Sequence, residues 1–113
     1  TQERIAKVQY IINELEMILL GNFDKMEAAD WQPTIDERVL YRYQAGKVIE
    51  KAIEAVDILF DAAGGRSVFN GHPLQELWHD IHIARCHVAN NPTPFARNLG
   101  SVAMGVDNGD VFI

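Results

Sequence analysis

The chain has 113 residues, 48% of them apolar and 23% charged, which is enough for one packed domain and outside the composition of disordered chains. A formal charge of −6, with ten basic residues scattered among sixteen acidic ones, argues against a nucleic-acid partner. No apolar run approaches the ~18 residues that a membrane span requires.

The opening "TQERIAKVQYI" has an early acid and no cleavage pattern, so it does not read as a signal peptide. It starts without Met and inside an amphipathic pattern, and is therefore expected to be part of a longer chain. Ile5, Val8, Ile11, Ile12, Leu15, Ile18, Leu19 and Phe23 recur at three- and four-residue steps, which predicts a helix over about residues 2–29 with one buried face. Gly21-Asn22 is the place where it should weaken.

"DWQPTIDE" breaks the pattern. Thr34 and Glu37 have the spacing of a capping box, and a second helix follows over about residues 35–63. Its apolar stripe is Val39, Leu40, Val48, Ile49, Ala52, Ile53, Val56, Leu59, Phe60 and Ala63. Gly64 stands where a helix stops in a left-handed residue, and Gly65 permits another sharp turn. A third helix should begin at Pro73, which suits a first turn, and run to the "NNP" at residues 90–92. Its core positions would be Leu74, Leu77, Ile81, Ala84 and Val88. A short fourth helix is expected over about residues 95–104, with Asn108-Gly109 as a turn near the end.

No strand pattern competes, so the expected fold is all-α. It is an up-down bundle of three long helices plus a short C-terminal one, forming a single domain. Three long helices leave one side open, and the apolar surface there should be covered by a missing helix or another subunit.

The segment from Leu59 to Pro92 holds all four histidines, a double glycine and Arg66. At 100° per residue His79, His82 and Cys86 share one face of the third helix, a possible three-ligand zinc set. No Cys pair, HExxH motif or carboxylate cluster accompanies them, so the reading preferred is a polar face with no metal. Asp80 and His87 share another stripe, where a carboxylate could orient an imidazole; Asp80 also fits a plain surface ion pair. In "AAGGRS" the glycines let backbone approach a ligand, and Arg66 offers a fork to phosphate, though such a loop also occurs between ordinary helices. Trp31, Tyr41, Tyr43 and Trp78 read as core or interface residues. The single cysteine, Cys86, leaves no intrachain disulfide and points to a reducing, cytoplasmic location.

The ordered set "LFDAAGGRSVF" and "HPLQELWHDIHIARCHVANNP" resembles the C-terminal helical domain of the acyl-CoA dehydrogenase superfamily, in particular its flavin-dependent monooxygenase branch. That branch comprises oxygenase components of two-component hydroxylases acting on aromatic compounds. The likeness spans essentially the whole chain and is most specific over residues 59–105.

Two departures from the dehydrogenases matter. Asp61 stands where that family typically has a glutamine that helps hold FAD in a neighbouring subunit, which favours reduced FMN while leaving FADH2 open. Val88 stands where the resemblance would align a glutamate base, and valine cannot accept a proton. The resemblance implies that His87 is catalytic, hydrogen-bonding a phenolic substrate beside the flavin. It also implies that Gly65, Arg66 and Val68 contact flavin bound mainly by an adjacent subunit. The partners implied are a tetramer of identical chains, a separate flavin reductase and a small aromatic substrate. Two other readings stay open: a dehydrogenase-type domain acting on acyl thioesters, and a purely structural oligomerisation bundle.

Overall fold

A computed structural model describes residues 1–28, 30–65 and 71–107. Four helices follow in order: α1 (Gln2–Glu27), α2 (Ile35–Ala63), α3 (Pro73–Ala84) and α4 (Pro92–Ala103), with one turn of 3-10 helix (Val88–Asn90) between the last two. The long α2 is the spine, against which α1, α3, the 3-10 turn and α4 all pack. The molecule is accordingly elongated, 50 × 25 × 24 Å. Among the described residues there is no strand, and the all-α expectation holds.

α1 and α2 form where the periodicity places them. Val8, Ile11 and Ala55 make the buried cluster between them, with Leu15, Ile58 and Leu59 packed around it. Gly21-Asn22 does not interrupt α1: Asn22 Nδ2 donates to Gln44 Oε1 at 2.8 Å, tying that turn to α2. The start of α2 is capped as expected, with the Glu37 backbone N–H donating to Thr34 Oγ1 at 3.1 Å. The Glu37 carboxylate also takes the Trp31 indole N–H at 2.8 Å and the Thr34 hydroxyl at 3.2 Å, pinning the α1–α2 loop to the helix it introduces. Trp31 in turn stacks on buried Tyr41.

α2 ends at Ala63 with Gly64 at φ 71°, the left-handed conformation that glycine adopts at least cost. In the interior of α2 Gly46 lets α4 come close. A Cβ on Gly46 would lie 2.9 Å from the ring of buried Phe95, over which Arg42 is stacked at 4.2 Å.

Two helix boundaries differ from expectation. The third helix stops at Ala84 after 12 residues, well short of the "NNP". The asparagines and the proline behind it compete for its backbone: Asn90 Nδ2 donates to the Ala84 carbonyl at 2.7 Å, and Pro92 has no N–H to continue a ladder. Consequently Val88, beyond the helix, is 77% exposed; Leu77, within it, is 56% exposed as well, so neither is a core residue of this chain. α4 starts at Pro92, three residues earlier than expected, because Asn91 Oδ1 accepts the Thr93 N–H and Pro92 fills the first helical position. The turn expected at Asn108-Gly109 lies outside the described residues.

α1 also carries a second apolar line. Ile5, Ile12 and Phe23 fall within ~20° of one another around the helix and are 53%, 41% and 50% exposed. These three were expected in the buried face of the helix; α1 packs chiefly on α2, which covers only the line of Val8 and Ile11.

Candidate functional site

Two corners of the chain hold the residues singled out in the sequence. The first follows α2. Gly64 and Gly65 are exposed, and among the described residues a Cβ built on either would meet no atom within 4 Å, so there is room there for another group to approach. The Gly64 N–H closes the helix on the Asp61 carbonyl, which fixes the direction in which the chain leaves. Arg66 and Val68 lie outside the described residues. His72, two residues into the next described stretch, caps α3 by accepting the Leu74 N–H on Nδ1 at 3.2 Å.

The second corner joins α3 to α4 and carries His87. This residue is not on the helix, since α3 has ended three residues before it. Its Nδ1 accepts the Ala89 N–H at 3.1 Å, making it the N-cap of the 3-10 turn. An Nδ1 that accepts cannot carry a proton, so the neutral ring bears its N–H on Nε2. Among the described residues no group takes that N–H. The corner forms one wall of a cleft of about 550 Å³, lined by Glu50 of α2 and by Arg85, Cys86, His87, Val88, Asn90, Asn91, Pro92 and Thr93.

The pairing of His87 with Asp80 is not formed, because the helical stripe they were to share ends at Ala84. Asp80 stays exposed, beside His79 and Glu76 in a shallow surface recess. Nor do His79, His82 and Cys86 come together; among the described residues no three groups are placed to hold a metal ion. His82 instead packs against Trp78 with the rings tilted by 38° and their centroids 4.2 Å apart, and its Nε2 lies 3.4 Å from Asp57 Oδ1, an oxygen that also accepts the Trp78 indole N–H at 2.9 Å. That cluster clamps α3 to α2.

Three polar residues of these corners were not foreseen: His72, Asn90 and Asn91, each used as a cap. For His72 and Asn91 the signal was present. A polar residue directly before a proline is a helix start, and "HP" and "NNP" both have that form.

Comparison with known proteins places this geometry. The family model for the acyl-CoA dehydrogenase C-terminal domain matches residues 1–92. The chain is 45% identical over 92 residues to the flavin-dependent monooxygenase oxygenase subunit HsaA of Rhodococcus jostii, covering 79% of this chain and 24% of that protein. It is 31% identical over 75 residues to the oxygenase component of p-hydroxyphenylacetate 3-hydroxylase of Acinetobacter baumannii, covering 66% and 18%. The crystal structure of 3-HSA hydroxylase from Rhodococcus sp. RHA1 superposes with a TM-score of 0.94 at 29% identity, over 99% of this chain and 30% of that one. The chain thus spans under a third of the length of these relatives. With the family model matching residues 1–92 and the fold shared with a solved relative, the chain belongs to the acyl-CoA dehydrogenase C-terminal domain family.

Proposed function

We propose that this chain is the C-terminal domain of the oxygenase component of a two-component monooxygenase, one that hydroxylates a small aromatic compound with O2 and reduced flavin. The observation that carries the reading is the state of His87. Its Nδ1 is occupied, its Nε2 is the remaining donor, and it stands in the wall of a cleft. A fixed N–H of this kind holds a phenolic oxygen and favours its anionic form, which makes the ring more electron-rich. Bound reduced flavin would supply the electrons that activate O2. His87 then acts as a hydrogen-bond donor that orients the substrate. The exposed Val88 beside it offers no base for the proton abstraction of a dehydrogenase.

The open space beside the would-be Cβ positions of Gly64 and Gly65 fits the close approach of a flavin. On this reading Gly65, Arg66 and Val68 contact flavin held by a neighbouring subunit. Reduced FMN is favoured over FADH2, because the exposed Asp61 carboxylate is a poor neighbour for a pyrophosphate. A separate reductase supplies the flavin, and upstream domains of the same chain hold most of it. The assembly is a tetramer of identical chains. Its place is the cytoplasm, where the exposed free thiol of Cys86 stays reduced; recovery from an oxidising compartment on cell fractionation would contradict that.

Two variants of the full-length protein test the site together. His87→Ala should lower product formed per flavin oxidised by about tenfold or more, the loss expected for one hydrogen bond to a charged group, with hydrogen peroxide released in its place. An unchanged ratio removes His87 from the reaction. Arg66→Ala should weaken reduced-FMN binding by a similar factor and leave that ratio intact, whereas unaltered affinity excludes a phosphate contact.

A further inference from the structure

A histidine three residues past the end of a helix should be poorly fixed, since the last carbonyls of a helix are unsatisfied and the chain beyond them is free to turn. His87 is instead held at every polar atom of its backbone and at one of its ring. Its N–H donates to the Ala84 carbonyl at 3.2 Å, its own carbonyl accepts the Asn90 N–H at 2.9 Å, and its Nδ1 accepts the Ala89 N–H at 3.1 Å. The piece that closes this circuit is a side chain. Asn90 Nδ2 donates to the same Ala84 carbonyl at 2.7 Å, so residues 84, 87 and 90 meet at one oxygen. The Asn90 side chain is part-buried, which shields the bond from competing water.

Resting on the reading of His87 given above, we propose that Asn90 is a positioning residue for the hydroxylation. By clamping the last carbonyl of α3 it locks the 85–90 turn, holds the Ala89 N–H against His87 Nδ1, and so fixes both the tautomer and the direction of the Nε2–H donor. Asn90 touches no substrate in this scheme. It acts through His87, and the 3-10 turn is the connecting piece.

That dependence gives the test, carried out on the full-length oxygenase with its reductase. Product per flavin oxidised is measured for the wild type, Asn90→Ala, His87→Ala and the double variant, with the melting temperature of each. Asn90→Asp is a second, nearly isosteric variant that loses the same donor, for use should Asn90→Ala fail to fold. Removing the donor should lower the ratio about threefold to tenfold in the wild-type background. In the His87→Ala background it should change the ratio less than about twofold, because the group it positions is gone. A purely structural role would lower the melting temperature in both backgrounds and leave the ratio alone, and that result overturns the proposal. So does an equal loss of coupling with and without His87. If His87→Ala itself leaves coupling unchanged, the catalytic reading of His87 fails, which is a different outcome from Asn90 failing beside an essential His87.

Discussion

At the scale of single residues, the chain uses the same device repeatedly: a short polar side chain satisfies a backbone group that a helix end leaves open. Thr34, His72, His87 and Asn91 each accept a backbone N–H two or three residues ahead. The cap at the start of α2 has a consequence in pH. The Trp31 indole N–H, and with it the Thr34 hydroxyl and backbone N–H, hold the Glu37 carboxyl below its ordinary value of 4.5. A carboxyl lowered on folding contributes stability above its unfolded value and loses that contribution as pH falls through the folded one. The difference in urea midpoint between wild type and Glu37→Gln should therefore be present at neutral pH and shrink below 4.5. A difference that does not vary with pH would mean that the carboxylate charge takes no part in holding Trp31. Histidine as a cap is the lesson of this scale. His72 and His87 look like chemistry-bearing residues in the sequence, yet the backbone claims Nδ1 of both, and only the remaining nitrogen is available for anything else.

At the scale of elements, two helical glycines make opposite predictions from the same chemistry. Gly21 in α1 has no atom of the described residues beyond its own helix within 4 Å of its would-be Cβ, so Gly21→Ala should stabilise by about 0.5–1 kcal/mol through helix propensity. Gly46 in α2 meets the Phe95 ring at 2.9 Å. There the same propensity gain is outweighed by overpacking at about 1–3 kcal/mol, and Gly46→Ala should lower the melting temperature. Thermal unfolding of the two variants side by side is the measurement; a rise for both would mean that α4 yields easily. α3 shows the limit of periodicity. Val88 keeps the helical step, but the step describes only which side a residue faces if the helix continues. Asn90 and Pro92 stop it at Ala84, because a side-chain amide and a missing N–H both break the ladder.

At the scale of the molecule, a spine helix with α1 packed against it leaves Ile5, Ile12 and Phe23 uncovered on one line. A strip of this kind rimmed by polar residues marks a contact surface. In the tetramer proposed for the full-length protein this strip would be a subunit boundary. Ile12→Glu with Phe23→Glu should then reduce the assembled mass seen by sedimentation. A variant that keeps the wild-type mass and stability would remove the strip from the subunit contacts.

What the sequence determined by itself was the local content. The all-α class, the span of α2 to the residue, the Thr34 cap and the Gly64 stop all depend on neighbours within four positions, and such interactions are written directly in residue order. The likeness to the acyl-CoA dehydrogenase family was legible for the same reason, as an ordered set of short segments. Where His87 stands was decided only by the tertiary structure. Its place off the helix, its fixed tautomer and its cleft depend on the Asn90 side chain reaching back six residues to Ala84 and on Glu50 arriving from another helix. Likewise His82 belongs to Asp57, 25 positions away, and not to the metal face its spacing allowed. Spacing along one helix fixes angles around that helix, whereas the partners of a polar group are chosen by what the other helices bring beside it.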